Sequence, residues 1–509
     1  MNDKKEIRPE LLKVQVAHAA LQDDARPERI ARQHARGRNT ARENIAAFAD
    51  PGSFVEYGGL SKPARTDMEG PADGLVMGTA TVDGRPVVLV AYDYTVHAGT
   101  QSATNHRKMD RIFSLAEANK LPVIGWWDGG GARPHEMLIA GRPVNSGFVT
   151  FARLSGLVPT IALVTGRAFA GQANLSGLSD VVIATKSATM GMAGPPLVEA
   201  ALGHRLTPEE IGPMSVHEKS GAIDVLVDTE DEAMAAARKY LSFFRAEEQQ
   251  PQNDFEAPDP LALRDVIPKN PRRAYDVRKA VSGMADIDSV LELRPRFGKA
   301  AITALAKLAG QPVGIIANQP MFLAGAMDSP ACDKIARFIG LCDAHDLPIV
   351  FLCDTPGLMV GPDVEKTALV RHSARILTAA ATATVPMLTV VLRKAYGLGY
   401  YVMGSTAYHP NLVIAWPTAE FGGMGIEGAV NIIHQQELEA ETDLAKRRVL
   451  HDQRTQELKD HHTALQVAER FHVDDVIDPA DTRQILIRCL ATTPAPAPRQ
   501  GRKRVIEPW

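Results

Sequence analysis

Two stretches of the chain match each other without a gap: GRPVVLVAYDYTVHAGTQSATNHRKMDRIFSLAEANKLPVIGWWDGGG (84–131) and GQPVGIIANQPMFLAGAMDSPACDKIARFIGLCDAHDLPIVFLCDTPG (310–357). The offset is constant at 226 residues, and 14 of the 48 aligned pairs are identical. This period is far longer than the roughly 20–50 residues of a solenoid repeat. The sequence therefore predicts two homologous domains in tandem.

Each copy has the pattern strand, loop, helix, strand. RPVVLVAYDYT and QPVGIIANQPM are apolar, β-branched runs typical of buried strands. An amphipathic stretch follows, and a Leu-Pro pair then opens a second apolar run in both copies. A strand–helix–strand unit implies a right-handed crossover and a parallel pair of strands. The predicted fold class is α/β.

The segment between the copies, AEEQQPQNDFEAPDPLALRDVIPKNP (246–271), is rich in proline, glutamine and acidic residues, which is typical of a linker. We therefore expect one domain over residues 1–255 and a second over 256–509. The final stretch, 491–509, is rich in proline and alanine and then basic. It is predicted to be a flexible tail.

The composition limits the function classes. The net charge of −4 argues against nucleic acid as a partner. Four cysteines without a Cys-x-x-Cys pair argue against a zinc ribbon or a disulfide scaffold and fit a reducing compartment. The start lacks an apolar signal region, and no apolar run reaches the ~18 residues needed to cross a bilayer. We expect a cytoplasmic protein that binds no metal and no membrane.

Small-residue turns recur at matching places in both halves. One type follows the second strand of each repeat, at 128–133 and 354–357, and the other lies at 170–173 and 397–400. A strand that ends in such a turn and then enters a helix directs free N–H groups at one point, where negative charge is stabilised. Two such turns suggest a reaction with two oxyanions. The alternative is that the glycines only allow close packing of strand and helix.

Motifs of side-chain catalysis are missing from the sequence. It has no Gly-x-Ser-x-Gly elbow, no His-Glu-x-x-His and no phosphate-binding Gly-x4-Gly-Lys-Ser/Thr. The histidines are scattered, and no Gly-x-Gly-x-x-Gly opens a helix at the spacing of a dinucleotide site. The pattern favours stabilisation of charge by backbone groups over a side-chain nucleophile.

Several segments together resemble the carboxyltransferase β subunits of biotin-dependent acyl-CoA carboxylases of the propionyl-CoA and acetyl-CoA type. The resemblance covers roughly residues 30–480 and implies two crotonase-like domains, each a superhelix of ββα turns. The segments include RQHARGRNTARENIAAFADPGSFVEYG (32–58), GGGAR (129–133), NPRRAYDVRKAV (270–281), ATVPMLTVVLRKAYGLGYYVMGS (383–405) and LVIAWPTAE (412–420).

The resemblance implies a reaction in which CO2 from carboxybiotin reaches the α-carbon of an acyl-CoA. Two oxyanions then need stabilising, the thioester enolate and the ureido oxygen of biotin. The backbone amides implied for the thioester are those of Gly171 and Gln172, and those implied for biotin are those of Leu398 and Gly399. The remaining implied residues are Gly130, Gly131, Ala132, Arg133, Gly397 and Tyr400 for cofactor binding and Tyr401 for the acyl pocket.

The same resemblance implies partners. The chain lacks a Met-Lys-Met biotinylation site and a recognisable ATP-binding domain. An α subunit with biotin carboxylase and biotin carrier domains is therefore expected, together with a homo-hexamer of this chain. The N-terminal domain is expected to bind the CoA thioester and the C-terminal domain to receive biotin.

The sequence departs from the family pattern at three site positions. Gln172 and Leu398 stand where glycine is usual, and Tyr401 stands where short-chain carboxylases have aspartate. Tyr401 suggests a larger and less polar acyl pocket. Three alternatives remain open: a decarboxylase that uses the same two sites, a non-catalytic scaffold subunit, and a CoA-thioester hydratase or hydrolase with Glu136 or Glu199 as base.

Overall fold

The computed structural model describes residues 7–138, 146–244, 255–494 and 504–509. Contacts divide the chain into two units, which we call the N-terminal unit (up to Leu241) and the C-terminal unit (from Ser242). The predicted boundary at 255 follows residues 245–254, which lie outside the described part of the chain.

The N-terminal unit is built on a seven-stranded sheet with the order β1-β2-β3-β4-β5-β7-β9. The first two pairings are antiparallel and the others are parallel. Two further strands, β6 and β8, form a small parallel pair. The strands are β1 Val55–Glu56, β2 Leu75–Val82, β3 Arg85–Tyr92, β4 Val123–Trp126, β5 Thr160–Val164, β6 Arg167–Phe169, β7 Val181–Thr185, β8 Thr189–Gly191 and β9 Val225–Val227.

The C-terminal unit repeats this sheet strand for strand, in the order β10-β11-β12-β13-β14-β15-β17. Its first two pairings are again antiparallel, and β16 pairs with the extended end of β14. The prediction of two tandem α/β domains is thereby confirmed. The strands are β10 Leu291–Leu293, β11 Ala301–Leu308, β12 Gln311–Asn318, β13 Ile349–Thr355, β14 Met387–Tyr396, β15 Leu412–Ala415, β16 Glu420–Gly422 and β17 Asp475–Val476.

Helices precede, connect and follow the strands of both units. Those of the N-terminal unit are α1 Pro9–Ala19, α2 Pro27–His34, α3 Ala41–Phe48, α4 Ala103–Asn119, α5 Ser146–Ala152, α6 Gly171–Leu178, α7 Pro195–Leu202, α8 Pro208–Ile211, α9 Met214–Ser220 and α10 Glu230–Leu241. Those of the C-terminal unit are α11 Arg278–Met284, α12 Ser329–Ala344, α13 Pro362–Glu365, α14 Leu369–Thr382, α15 Gly397–Val402, α16 Ile426–Ile433, α17 Gln435–Ala440, α18 Leu444–Asp460, α19 Ala464–Glu469 and α20 Thr482–Thr492. Among the described residues, none of these helices is long and apolar enough to cross a membrane.

The two repeat helices begin at side-chain caps in equivalent positions. Ser102 accepts a hydrogen bond from the N–H of Asn105 (3.0 Å) at the start of α4, and Asp328 accepts one from Ala331 (3.0 Å) at the start of α12. Each cap satisfies an N–H that has no partner within its helix. The strands that precede these helices are buried on both faces, which explains why they read as continuous apolar runs.

A buried lysine fastens each repeat helix to its sheet. Lys108 Nζ donates to the carbonyl of Ala72 (2.8 Å), and Lys334 Nζ donates to those of Phe297 (3.1 Å) and Ala301 (2.8 Å). Burial lowers the pKa of Lys108 to about 8. The identical lysines of the repeat therefore stabilise the fold by donating to carbonyls that water cannot reach.

Replacing Lys334 by methionine tests this role, because the variant keeps the apolar stem and loses the donor. The two carbonyls are then left unsatisfied, and we expect a loss of about 2–3 kcal/mol of stability. Lys446→Met is the matched control, since Lys446 is exposed on α18. A urea midpoint that falls equally little in both variants would contradict the role assigned to Lys334.

The last six residues make defined contacts within the C-terminal unit, although the sequence predicts a flexible tail there. Arg504 pairs with Asp343 (Nε–Oδ2 2.8 Å), and the indole of Trp509 donates to Asp333 (3.2 Å). Ile506 is buried. The basic Arg504 and the apolar and aromatic side chains that follow it supply this anchoring. The preceding residues 495–503 lie outside the described part.

Candidate active site

Three turns meet at one edge of the N-terminal sheet. Gly129 pairs with Ala168, Gln101 pairs with Ala132, and the N–H of Gln101 donates to the carbonyl of Gly131 (2.7 Å). The turns follow parallel strands, whose carboxyl ends share an edge of the sheet. The structure therefore brings together the residues predicted at 130–133 and at 171–172.

Gln172 braces these turns with its side chain. Its Nε2 donates to the carbonyl of Gly99 (2.6 Å), and its Oε1 accepts the N–H of Gly131 (3.0 Å). The side chain is fully buried. The N–H of Gly131 is thereby satisfied within the protein, while a residue larger than the usual glycine connects three turns instead of obstructing them.

The N–H groups of Gly171 and Gln172 open helix α6. Groups in the first turn of a helix have no partner within it, and the helix dipole makes this end positive. Ala170, just before the helix, has φ 51° and ψ −112°, a conformation that L-residues rarely adopt. A Cβ at Gly171 would lie 2.0 Å from Gln101 Oε1, so only glycine fits there without a shift.

Arg133 is buried among protein partners. Its guanidinium donates to Asp73 Oδ1 (2.6 Å), Glu136 Oε1 (2.9 Å) and the carbonyl of Thr100 (3.0 Å). Only 1% of its side chain is exposed. The sequence predicts that Arg133 binds the cofactor, but the structure shows it holding the glycine turn from inside the unit.

In the matching turn of the C-terminal unit, two stretches of backbone lie in direct contact. A Cβ at Gly399 would lie 2.5 Å from the Cα of Gly357, so two backbones touch where Gln172 stands in the other unit. Gly397 has φ 53°, close to the φ of 51° that Ala170 has at the equivalent position. Leu398 and Tyr401 are 47% and 51% exposed. The turn is thus open to solvent on an apolar side.

Tyr400, predicted to bind the cofactor, points its ring into the unit. The ring packs edge-on against Phe421, with centroids 5.7 Å apart. Burial is the main cause that raises the pKa of its hydroxyl. Of the predicted residues on this side, the structure therefore exposes Leu398 and Tyr401 and buries Gly399.

A buried carboxylate ends the second strand of each repeat. Asp354 accepts from the hydroxyl of Tyr275 (2.8 Å) and from Arg393 Nε (3.0 Å). Asp128 accepts from the N–H of Gly166 (2.8 Å) and from Thr165 Oγ1 (3.3 Å). Each aspartate directly precedes its glycine turn, so its hydrogen bonds fix where that turn begins.

Glu230 lies close to the Asp128 carboxylate. Burial, and after it the charge of Asp128, raises the pKa of Glu230 to about 7. Burial also raises the pKa of Asp128, against the opposing charge of Arg38. The charge of Arg38 acts on both carboxylates, and the pair resists carrying two full negative charges.

The raised pKa of Glu230 predicts a pH dependence of stability. Its contribution is complete below its ordinary pKa of 4.5 and is lost as the pH rises through about 7. Glu230→Gln stays neutral, so relative to the parent chain it should gain about 1–2 kcal/mol between about pH 5 and pH 8, after discount for partial exposure. Asp231→Asn is the control, because Asp231 is exposed on the same helix. If the free energies of unfolding of Glu230→Gln and of the parent chain change in parallel with pH, the raised pKa of Glu230 does not affect stability.

The carboxylates considered as bases for a hydratase lie in different settings. Glu136 is ion-paired with Arg133, and Glu199 is exposed on α7. Among residues 7–138, 146–244, 255–494 and 504–509, no group of three or more His, Cys, Asp or Glu side chains could hold a metal ion.

Several residues of the site carry no motif in the sequence. Gln101 contacts the glycine turn, Arg38 and Glu230 act on Asp128 through their charges, and Ala170 contributes through its backbone conformation. One signal was available for Ala170, because the repeat aligns it with Gly397. The role of the other three depends on contacts that only the folded chain creates.

Comparison with known proteins identifies the family. Residues 32–503 match the family described as the carboxyl transferase domain. The chain belongs to this family. This carboxyl transferase is 37% identical over 476 residues to the methylmalonyl-CoA carboxyltransferase 12S subunit of Propionibacterium freudenreichii subsp. shermanii, covering 91% of this chain and 90% of the relative. It is 34% identical over 482 residues to the methylmalonyl-CoA decarboxylase subunit alpha of Veillonella parvula, covering 91% and 92%.

Two solved structures share the fold. The transcarboxylase 12S hexamer, with methylmalonyl-coenzyme A and methylmalonic acid bound, has a TM-score of 0.86 at 34% identity and covers 99% of this chain and 100% of that one. A single-chain, multi-domain long-chain acyl-CoA carboxylase has a TM-score of 0.89 at 43% identity, covering 95% of this chain and 49% of that one. The carboxyl transferase therefore spans about half of that longer protein. The two crotonase-like domains are confirmed, and the chain is a carboxyltransferase of the acyl-CoA carboxylase type.

Proposed function

We propose that this carboxyl transferase moves a carboxyl group between biotin and the α-carbon of an acyl-CoA by means of two backbone oxyanion sites. The amides of Gly171 and Gln172 would hold the enolate oxygen of the thioester, and those of Leu398 and Gly399 the ureido oxygen of biotin. The observation that carries the proposal is that both turns occupy the same place in duplicate folds, directly before a helix. Family membership supports the assignment of the two ligands.

The N-terminal turn is suited to a developing oxyanion because its donors are fixed before reaction. Gln172, Gln101 and Ala170 hold the backbone in place through buried contacts. Removing a single positioned donor typically costs about 3 kcal/mol of transition-state stabilisation. Backbone donors of this kind need no ionisable group and undergo no reorganisation during the reaction.

The C-terminal turn fits a flat polar ring carried on another protein. Leu398 and Tyr401 present exposed apolar surface, while the contact between Gly399 and Gly357 keeps the backbone of the turn uncovered by a side chain at 399. Biotin, when bound, supplies the carboxyl group that is transferred. The residues of the turn bind its ring and orient its ureido oxygen toward the amides.

Paired alanine substitutions test the thioester site. Gly171→Ala forces the new Cβ against Gln101, while Gly177→Ala on the same helix meets nothing within 4 Å. We expect Gly171→Ala to lower kcat by about a hundredfold, because a misplaced donor no longer stabilises the enolate. The assay is the reverse transfer, from a carboxylated acyl-CoA to free biocytin. Equal kcat values for the two variants would remove Gly171 from the site.

A second pair of alanine substitutions tests the biotin site. Gly399→Ala overlaps the backbone of Gly357, which cannot move aside cheaply, and Gly428→Ala on α16 meets open space. We expect kcat for transfer to biocytin to fall at Gly399→Ala and to stay near the parent value at Gly428→Ala. Full transfer by Gly399→Ala would place biotin elsewhere.

The acyl group is proposed to be larger than acetyl. Tyr401 and Leu398 offer exposed apolar side chains beside the turn. The likeness to a long-chain acyl-CoA carboxylase at 43% identity supports the same conclusion. An apolar wall gains roughly 0.8 kcal/mol for each CH₂ group that it buries.

A panel of acyl-CoAs of increasing length tests this proposal. We expect kcat/KM to rise from acetyl-CoA to longer or bulkier acyl groups, and Tyr401→Asp to reduce that gradient because it replaces apolar surface by a charge. Tyr401→Phe is the control, since it keeps the ring. A preference of the parent chain for acetyl-CoA would overturn the proposal.

A biotinylated partner that carries biotin carboxylase activity is proposed as the donor side, and a homo-hexamer as the assembly, in line with the hexamer of the transcarboxylase 12S structure. A decarboxylase subunit is the second candidate, favoured by the 34% identity to a methylmalonyl-CoA decarboxylase subunit. Labelled bicarbonate and ATP, supplied with the co-purifying partner, separate the two directions. Label incorporated from bicarbonate into an acyl-CoA supports the carboxylase, while release of CO2 from a carboxylated acyl-CoA, without any incorporation from bicarbonate, supports the decarboxylase.

A further inference from the structure

The two units share a second alignment that lies ahead of the repeat described above. The ion pair Arg42–Glu56 (2.9 Å) of the N-terminal unit corresponds to Arg278–Glu292 (2.7 Å) of the C-terminal unit, both at an offset of 236 residues. The loop before α3 contains Arg38, whose Nη1 lies beside Gly166, and the loop before α11 contains carbonyls that accept from Arg393. At this offset the loop position of Arg38 corresponds to Ala274.

The strands that lead to the buried aspartates keep the offset of 226, and the strands paired with them align at an offset of 227. Trp126 pairs with Leu163 in the N-terminal sheet, and Leu352 pairs with Val390 in the C-terminal sheet. Counting on from these pairs, Gly166 corresponds to Arg393. In the N-terminal unit the loop position is Arg38 and the strand position is Gly166. In the C-terminal unit the loop position is Ala274 and the strand position is Arg393.

The geometry shows why only one of the two aligned positions, the loop position or the strand position, holds an arginine in each unit. A Cβ built on Gly166 would lie 2.0 Å from Arg38 Nη1 and 2.6 Å from Asp128 Oδ2. The guanidinium of Arg38 thus occupies the space that a side chain at 166 would need. In the C-terminal unit the guanidinium of Arg393 enters from the strand, 3.0 Å from Asp354 Oδ2, and its Nη1 donates to the carbonyls of Pro271 and Arg273.

We propose that Arg38 positions the 128–131 turn of the N-terminal unit by facing Asp128, as Arg393 positions the 354–357 turn by pairing with Asp354. The inference rests on the proposed function of the turns and adds two residues that act through them. A buried carboxylate needs a cation or donors, and one left unpaired destabilises its surroundings strongly. Because Asp128 directly precedes the glycine turn that Gln172 braces, a displaced Asp128 displaces the donors of the thioester site.

The other groups around Asp128 fit this role. Asn39, next to Arg38, donates its N–H to Glu230 Oε2 (3.1 Å), and Thr165 donates to Asp128. The Arg38 loop therefore contacts Glu230 through Asn39, while Arg38 Nη1 and Asp128 Oδ2 both lie beside Gly166. Burial and the charge of Asp128 raise the pKa of Glu230, and the charge of Arg38 opposes that rise.

A swap of the arginine between its two positions is the test. Arg38→Ala should lower kcat about tenfold to a hundredfold through displacement of the turn. Gly166→Arg alone should be at least as damaging, because its Cβ overlaps the guanidinium already present. The double variant, Arg38→Ala with Gly166→Arg, copies the C-terminal arrangement and should recover most of the lost kcat. Asp128 must then turn toward the N–H of Arg167, as Asp354 accepts from Lys394 (3.2 Å).

The mirror experiment in the C-terminal unit guards against a variant that fails to fold. Arg393→Gly should impair transfer to biocytin, and Ala274→Arg added to it should restore transfer. Arg32→Ala is the control for loss of a positive charge, since Arg32 is exposed on α2. Melting temperatures measured alongside kcat separate a displaced turn from a destabilised unit.

The outcomes separate this inference from the proposed function. Recovery of kcat in either double variant beyond both of its single variants supports the positioning role, whereas double variants no better than Arg38→Ala and Arg393→Gly overturn it. If Gly171→Ala leaves kcat unchanged while the swap recovers activity, the oxyanion assignment fails and the positioning role stands. If Gly171→Ala lowers kcat and neither swap recovers activity, only the positioning role fails.

Discussion

The close approach of backbone to backbone at the carboxyl edge of each sheet is the constraint on which the rest depends. A Cβ at Gly99 would lie 2.4 Å from the carbonyl of Asp128, and one at Gly325 would lie 2.3 Å from that of Asp354. Both glycines have positive φ, at 62° and 86°, so the backbone conformation and the lack of space for a Cβ both require glycine. With the turns this close, short hydrogen bonds between them fix the direction of the N–H groups that the proposed function assigns to the thioester and to biotin.

That constraint also explains how two unlike sets of side chains support one geometry. In the N-terminal unit Gln172 spans the space between two turns, and in the C-terminal unit Gly399 brings the turns into direct contact. The two units therefore have the same backbone path, but different groups occupy the space between their turns. A site built on main-chain donors tolerates such exchanges, because the chemistry does not depend on the identity of the side chains.

Much of this arrangement could be predicted from the sequence because the repeat carries it. The alignment of 84–131 with 310–357 contains the strands, the capped helix, the buried lysine and the glycines of the turns. The burial of Arg133 was not predictable, because its partner Asp73 is 60 residues away and belongs to no motif. The bracing role of Gln172 was not predictable for the same reason. A larger residue in place of glycine suggests a damaged site until the space around the side chain is known.

The exchange of arginine between loop and strand also limits how the two halves of the chain could have diverged. Gly166 and Arg38 fit each other, as do Arg393 and Ala274, but each mixture places either two guanidinium groups or none beside a buried aspartate. A duplicated ancestor could not pass from one pairing to the other by a single substitution without crossing a poorly packed intermediate. If Arg38 positions Asp128 as proposed, a chimera that joins the loop of one half to the strand of the other is expected to be defective, although the two halves have the same strand order.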